Sequence, residues 1–207
     1  MTITWMGHSC FVIEQDGYRI AVDPYEGVDG YPPLHIAANA VCCSHEHFDH
    51  AYRAGVELLP GGRNPFAVRE IASFHDGAGG RTRGKNTIRV FTAGGRSVCH
   101  LGDLGHLLSG GQIAAIGRVD VLLIPVGGVY TIGPEEAKAV VRQLRPRCAV
   151  PMHYRHAPFG LPNLGGAERF LEQFCSGSVG VLPGRSFEVT DELPEILVPS
   201  WRERTPA

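Results

Sequence analysis

Short segments in which apolar and polar residues alternate make up most of the chain, and glycine or proline separates them. This period of two predicts strands, first at residues 2–7 and then in a hairpin over residues 10–24 that turns at Asp16-Gly17. A second hairpin is expected over residues 87–103, with Ala93-Gly94-Gly95 at its turn. Other predicted strands, mostly continuous apolar runs typical of a buried sheet, are residues 39–45, 66–76, 119–128, 147–154 and 177–189.

Helical periodicity is less common. The clearest helix lies in GPEEAKAVVRQLRP, because Pro134 suits a first turn and the two glutamates after it suit the positive end of the helix dipole. Pro146 ends that helix. Further helices are predicted within residues 165–177, 49–59 and 110–119. Strands come first and then alternate with helices, which indicates two facing sheets with helices outside, in one domain over residues 1–207.

The composition then excludes several classes of protein. Apolar residues make up 43% and charged residues 19% of the chain, which is typical of a globular protein. A formal charge of −2, without any basic run, disfavours nucleic acid or a membrane surface as partner. The N-terminal MTITWMGHSC lacks the regions of a signal peptide, and no apolar run reaches the ~18 residues of a membrane span. The six cysteines show no CxxC spacing, so reduced thiols and a cytoplasmic location are expected.

The stretch VCCSHEHFDH, Val41 to His50, contains three of the ten histidines. His45 and His47 are two residues apart in a segment expected to be extended, so both side chains point to one side and can bind one cation. Asp49 and His50 follow where the chain turns, and they can reach a second point nearby. Imidazole and carboxylate suit zinc, iron or manganese without discriminating among them. The alternative is a polar turn in which Asp49 caps a helix.

Three further candidate ligands stand where a predicted strand ends and a loop begins, which is where rigid scaffolds display functional groups. His75 ends the run EIASFHD, Asp103 ends SVCHLGD and His153 ends CAVPMH. Each alone is more often structural. Their order behind the HxHxDH motif favours a metal site.

With these motifs the sequence resembles the metallo-β-lactamase fold hydrolases, in particular the small cytoplasmic branch that includes ascorbate-6-phosphate lactonase-like and related metal-dependent hydrolases. The resemblance covers nearly the whole chain. Its segments are, in order, WMGHSCFVI, Asp23-Pro24, SHEHFDH, FHDG, GKNTI, HLGDLGH, PVGGVYTIGPEEA and PMHY. It implies an α+β fold, a four-layered αβ/βα sandwich with two metal ions at one edge of the facing sheets.

The resemblance also implies how the ligands are distributed. His45, His47 and His75 would hold the first ion, Asp49, His50 and His153 the second, and Asp103 would bridge the two. Two divalent ions are expected as cofactors, zinc first, although the same ligands accept manganese, iron or nickel. We hypothesise that a water between the ions becomes hydroxide near neutral pH and attacks an ester, lactone or phosphoester. Asp49 is expected to orient this nucleophile or to relay its proton.

Other residues are candidates for catalysis or binding. His8, in GHSC, is expected near the metals, where it would contact substrate or the leaving group, and a structural histidine is the alternative. His106, also a catalytic candidate, is expected at the mouth of the site, where it would bind substrate, and a surface position is the alternative. Asp23, in AVDP, is expected to hydrogen-bond a ligand histidine and fix its tautomer. The candidates for substrate binding, for which a solvated loop or surface position is the alternative, are Arg83, Lys85, Tyr130 and Tyr154.

The predicted function is therefore a dinuclear metal-dependent hydrolase that acts on a small, anionic molecule. A phosphodiesterase, phospholipase or nuclease is the enzymatic alternative, because the same ligands serve phosphoester cleavage. The non-enzymatic alternative is a metal-binding protein on this fold without activity. Fold and ligands do not choose the substrate. The sequence leaves the oligomeric state open, a homo-oligomer included.

Overall fold

The computed structural model describes residues 1–201, and their regular elements are mostly strands. The strands are β1 (Thr2–Gly7), β2 (Cys10–Gln15), β3 (Tyr18–Val22), β4 (Ile36–Ala38), β5 (Ala40–Cys42), β6 (Val56–Leu58), β7 (Ala67–Phe74), β8 (Lys85–Ala93), β9 (Arg96–His100), β10 (Val121–Pro125), β11 (Cys148–Met152), β12 (Val179–Val181), β13 (Ser186–Glu188) and β14 (Ile196–Val198). The α-helices are α1 (Gly110–Ile116), α2 (Pro134–Leu144) and α3 (Glu168–Leu171), and short 3-10 turns span Arg53–Gly55 and Ser176–Ser178.

The strands form two large sheets. The first has the order β13-β1-β2-β3-β5 and the second the order β12-β14-β11-β10-β9-β8-β7, while β4 and β6 form a separate parallel pair. Both predicted hairpins are confirmed. The β2–β3 turn places Asp16 at φ 51° and Gly17 at φ 77°, and the β8–β9 turn places Gly94 and Gly95 at φ 56° and 73°, as tight two-residue turns require.

The main hydrophobic core lies between the two sheets, and alternation along β2 shows how the first sheet is sandwiched. Phe11 and Ile13 belong to the cluster that also contains the buried residues of β10 and β11. Cys10 and Val12, on the opposite face, pack with Ile36 and other residues of a second cluster. Strand β10 is buried along its whole length, because both faces of the second sheet are covered.

Two of the four predicted helices form as expected and two do not. Helix α2 begins at Pro134 as predicted, and a capping box at Ser109 fixes the start of α1. The helix predicted within residues 165–177 is shortened to α3, which has no side-chain cap. The helix predicted over residues 49–59 is wrong, because Val56–Leu58 pairs with Ile36–Ala38 instead.

The direction of the strands decides where the loops meet. Strands β7 and β9 are both antiparallel to β8, and β9, β10 and β11 are mutually parallel, so the carboxyl ends of β7, β9 and β11 lie at one edge of the second sheet. All six cysteines are free thiols, as predicted. No helix within residues 1–201 has both the length and the apolar composition that a bilayer span requires.

Candidate metal centre

The carboxyl-terminal edge of the second sheet carries three of the candidate ligands. His75 directly follows β7, Asp103 lies three residues after β9, and His153 directly follows β11. The parallel and antiparallel pairing described above therefore brings them together although up to 78 positions separate them in the sequence. His75 Nε2 lies 3.0 Å and His153 Nε2 lies 3.3 Å from Asp103 Oδ2.

The segment after β5 supplies the other four. Strand β5 is parallel to β3 in the first sheet, and the chain then bends through Ser44–His50 toward the edge of the second sheet. His45 Nε2 lies 3.0 Å from His47 Nδ1, so the two rings do converge as the spacing predicted. His50 Nε2 lies 3.1 Å from Asp103 Oδ1 and 3.7 Å from Asp49 Oδ2.

The ligand atoms form three overlapping groups in which all atoms lie within 4.8 Å of one another. Except for His47, which is exposed, every member of these groups is buried. The groups are His8, Asp49, His50 and His153; His45, His47 and His75; and His45, His50 and Asp103. The structure thus brings together all seven sequence-predicted ligands, and it adds His8 to them.

Several of these buried atoms have no hydrogen-bond partner among the described residues. They are His50 Nε2, Asp103 Oδ1, both ring nitrogens of His153 and His8 Nδ1. A buried polar atom without a partner is costly, and in native proteins it usually has a ligand, ion or water to bind. The short contacts between these atoms lack hydrogen-bond geometry because the atoms face a common point. This donor set, imidazole and carboxylate, fits one or two divalent cations such as zinc.

Hydrogen bonds on the far side of the rings fix which nitrogen faces the centre. His50 Nδ1 donates to Asp23 Oδ2 over 2.8 Å, and His75 Nδ1 donates to the Tyr130 carbonyl over 3.0 Å. Ser44 donates from both its amide and its hydroxyl to Asp23, so its oxygen can accept from His45 Nδ1 at 2.9 Å. In all three rings Nδ1 is thus the nitrogen bonded on the far side and Nε2 is the nitrogen that faces the other ligands, and Asp23 has the contact expected from the sequence.

Burial and the neighbouring charges shift the pKa values of these groups in opposite directions. Burial lowers the pKa of His45 to about 3, and the nearby His50 adds to this effect. Burial alone would also lower the pKa of His153, but the Asp103 carboxylate raises it to about 9. The pKa of Asp103 lies well below its usual value, because His153 and His50 outweigh the opposing effect of burial. The pKa of His50 is raised in the same way, so the His50 and His153 rings are protonated beside Asp103, and a bound cation would displace these protons.

His8 lies between β1 and β2 and is fully buried beside the second group. Its Nε2 is 3.3 Å from Asp49 Oδ2, and its ring centre is 4.3 Å from that of His153. Burial, and after it His153, lower the pKa of His8 to about 4, so the ring is neutral at pH 7 and donates to Asp49. His8, Asp23 and His153 have φ values of 50°, 48° and 52°, an uncommon conformation that concentrates at functional sites.

A cleft of about 650 Å³ opens onto the centre. Its lining includes four candidate ligands, His47, Asp49, His75 and Asp103, together with Thr82, Arg83, Tyr130, Leu161 and Asn163. Two of the predicted substrate-binding residues, Arg83 and Tyr130, therefore line the same cavity as the candidate ligands. Lys85 is exposed at the start of β8 and is not part of this lining.

Two other predictions disagree with the structure. His106 does not face the centre, because its Nε2 accepts from the Phe74 amide over 3.2 Å and its Nδ1 donates to the Leu107 carbonyl over 2.8 Å. Tyr154 is buried and stacks on Trp5, with ring centres 6.1 Å apart, in the wall of a different cavity. The two neighbouring residues therefore have different surroundings, since His153 lies beside Asp103 and Tyr154 lies against Trp5.

Three residues that the sequence patterns did not indicate also support the centre. Ser44, held by Asp23, orients His45 directly, and Asn86 accepts from the Asp103 amide over 3.0 Å. Asp76, next to His75, holds the following loop by hydrogen bonds to four backbone amides. These residues occur within the quoted segments SHEHFDH, GKNTI and FHDG, but their polar side chains alone did not distinguish support from solvent exposure.

Comparison with known proteins gives consistent matches. A model of the beta-lactamase superfamily domain matches residues 2–153, a range that contains all the candidate ligands. A UPF0173 protein of Pyrococcus furiosus is 32% identical over 91% of this chain and 100% of its own length. A UPF0173 metal-dependent hydrolase of Methanoculleus marisnigri is 31% identical over 93% of this chain and 98% of its own.

Among solved structures, one from Thermotoga maritima is assigned to the Zn-dependent hydrolases of the metallo-β-lactamase superfamily. It matches with a TM-score of 0.72 and 33% sequence identity, covering 95% of this chain and 97% of that one. This match confirms the α+β sandwich that the sequence resemblance implied.

Proposed function

The chain belongs to the metallo-β-lactamase superfamily and to its metal-dependent hydrolases, and from this premise we propose that two divalent ions act together at the centre. The bond attacked is an ester, lactone or phosphoester of a small, anionic substrate. One observation carries the proposal: imidazole and carboxylate groups from separate loops converge, and several of their atoms, among them His50 Nε2, His153 Nε2 and Asp103 Oδ1, have no hydrogen-bond partner within residues 1–201.

The contacts favour a particular division of the ligands. His45, His47 and His75 form one group, and Asp49, His50 and His153 belong to another. Asp103 Oδ1 approaches His50, and its Oδ2 approaches both His75 and His153, so this carboxylate lies between the two groups and would suit the bridging position. Zinc is the first choice for these ligands, and manganese, iron and nickel are compatible with them.

Two such ions, when bound, would lower the pKa of a shared water and polarise the oxygen of the bond under attack. The chain's own groups then position and move protons. Asp49 Oδ2, which accepts from the neutral His8 over 3.3 Å, is oriented to hold or relay a proton at the centre. The hydrogen bonds of Asp23 and of the Tyr130 carbonyl keep two ligand rings in the metal-binding tautomer.

Elemental analysis of the purified protein tests the metal assignment. We expect about two ions per chain in the wild type and a loss of both in a His45→Ala/His47→Ala variant, because each imidazole removed weakens the remaining site. His35→Ala/His156→Ala is the matched control, since both of these histidines are exposed and outside the candidate groups. Two ions retained by the first variant would contradict the assignment.

Activity is tested on the metal-loaded protein with p-nitrophenyl esters, simple lactones and bis-p-nitrophenyl phosphate. Turnover of esters or lactones supports the proposal in its main form, whereas turnover of the phosphodiester alone supports the phosphodiesterase alternative. A protein that binds both ions and turns over none of these would support the non-catalytic alternative. The exposed-histidine control should match the wild type throughout.

A further inference from the structure

The loop between β7 and β8 is rigidly held next to the centre. The Asp76 carboxylate accepts from the amides of Ala78 and Gly80 with Oδ1, over 2.8 and 2.9 Å. Its Oδ2 accepts from the amides of Thr82 and Arg83, over 3.0 and 2.8 Å. One side chain thus fixes the backbone up to Arg83, and it does so without using the arginine side chain.

The Arg83 side chain is left available at the wall of the cleft. Its guanidinium carbon lies 5.5 Å from the centre of the Tyr130 ring, a cation–π contact. Within residues 1–201 no carboxylate lies within 4.0 Å of the guanidinium group. The guanidinium nitrogens also make no hydrogen bond there, and only the backbone amide of Arg83 does. By contrast, Arg53 binds Glu46, which also lines the cleft, through two contacts of 2.9 and 2.7 Å.

Tyr130 connects this arginine to the centre. Its carbonyl accepts from His75 Nδ1, its ring supports Arg83, and its hydroxyl accepts from Asn163 Nδ2 over 3.4 Å. Because the ring occupies one face of the guanidinium, the edge with its N–H groups remains for a planar or tetrahedral anion. Arg83 is half-buried, so an ion pair formed there is screened less than one on an open surface.

We propose that Arg83 is a specificity-determining residue that binds an anionic group, carboxylate or phosphate, which the substrate carries in addition to the bond that is cleaved. Tyr130 supports the guanidinium, and Asp76 positions the loop. The inference rests on the proposed function, because it places the cleaved bond at the metal centre and the anion at Arg83 in the lining of the same cleft.

Two esters that share the p-nitrophenyl leaving group and have acyl chains of the same length test whether Arg83 recognises an anionic substrate. The p-nitrophenyl monoester of glutarate carries a free carboxylate, and p-nitrophenyl valerate does not. We expect Arg83→Met to reduce kcat/KM for the glutarate ester at least about 10-fold and to change the valerate value less than about twofold, since only the anionic ester uses the guanidinium. Arg83→Lys should retain part of the preference for the glutarate ester, because it keeps the positive charge but lacks the two parallel N–H groups of the guanidinium.

Arg81→Met is the matched control, because Arg81 is exposed in the same loop and outside the cleft lining. It should leave both esters unchanged. Neither substitution removes a backbone amide that binds Asp76, so similar thermal stability is expected of both variants. Equal losses on the two esters, or no loss on either, would overturn the proposal.

A binding measurement separates this inference from the hydrolase proposal. Inorganic phosphate and free glutarate are titrated into the metal-free wild type, Arg83→Met and Arg81→Met by calorimetry. At least about 10-fold weaker binding to Arg83→Met alone supports the anion site, and the tighter of the two probes identifies the anion. Arg83-dependent binding in a protein that hydrolyses none of the esters, lactones or the phosphodiester would refute the proposed function and leave the anion site in place. Hydrolysis without Arg83-dependent binding would refute the anion site alone.

Discussion

Two buried aspartates at opposite ends of the second sheet show how the same side chain serves stability in one place and chemistry in the other. Asp120 immediately precedes β10, and Asp103 follows β9 at the other edge. Asp120 Oδ2 accepts from the amide and the hydroxyl of Ser97, over 2.8 and 2.9 Å. Its Oδ1 faces the guanidinium groups of Arg96, Arg118 and Arg147 at 3.7 to 4.0 Å.

Asp103 has a different environment. Its Oδ1 is without a hydrogen-bond partner in the described part of the chain, and its neighbours are imidazoles that also lack partners on the facing side. The Asp120 carboxylate therefore has its hydrogen-bond and charge partners within the folded chain, whereas Asp103 requires a further group to bind its Oδ1. Since both carboxylates are almost fully buried, burial alone does not identify a functional site. The unpartnered neighbours do.

The largest expected effect separates the two aspartates by function. Asp103→Asn should reduce hydrolysis by at least about 1,000-fold, roughly 4 kcal/mol in the activation barrier, because it removes the carboxylate charge that we propose bridges the two ions. Asp120→Asn should leave activity within about twofold of the wild type. Steady-state kinetics on the best substrate of the panel, together with metal content, provide the measurement.

The order of the two substitutions should be reversed when their effect on the free energy of unfolding is measured. Asp120→Asn is expected to lower the free energy of unfolding by about 2 kcal/mol, since it weakens a buried charge-assisted network. In a domain of this size that corresponds to a melting temperature about 4–8 °C lower. Metal-free Asp103→Asn should melt close to the metal-free wild type. A strong loss of activity in Asp120→Asn at a temperature where it is folded would refute the division of roles.

Removal of metal should affect the Asp103 edge only. If free metal in the loaded sample is about 1,000 times its Kd, chelation should cost about 4 kcal/mol of stability, or about 8–16 °C in melting temperature. Hydrogen exchange should then increase in the segment Ser44–His50 and remain unchanged around Ser97 and Asp120. An equal increase at both ends of the sheet would show that the metal supports the fold as a whole.

A smaller effect is expected from the aspartate that orients His50. Asp23→Asn should weaken metal binding about 10- to 100-fold, because its bonds to His50 and Ser44 fix two ligands. Asp16→Asn is the matched control, since Asp16 has a similar φ of 51° but lies exposed in a turn. Competition with a chromogenic chelator measures both affinities, and equal values for the two variants would exclude the orienting role.

The smallest effects resolve what stabilises Asp120. Ser97→Ala removes the hydroxyl that donates to the Asp120 carboxylate and accepts from the Asp120 amide, and it should cost about 1–2 kcal/mol. Arg118→Ala should cost less than about 0.5 kcal/mol because its side chain is 79% exposed. Urea unfolding with equal m-values measures both. If Arg118→Ala proved the more costly, the arginines rather than Ser97 would be the principal partners of this carboxylate.

Local pattern determined much of the fold and the centre from the sequence. The two hairpins follow from alternation and from turn residues that accept positive φ, and α2 begins at the proline that its pattern indicated. The HxHxDH motif and three residues at strand ends indicated a common site. Each of these signals is carried by residues close together in sequence or by the ends of predictable strands.

Tertiary structure decided the rest. Residues 49–59 have a helical pattern, but pairing with a strand about twenty positions earlier gave Val56–Leu58 another partner and prevented the helix. The roles of His106 and Tyr154 depend on which way each side chain points, and only the packed structure fixes that direction. The sequence alone determined which side chains are available as ligands and roughly where strands end. Only the tertiary structure decided which of them meet, because the pairing of distant strands sets the edge at which their loops converge.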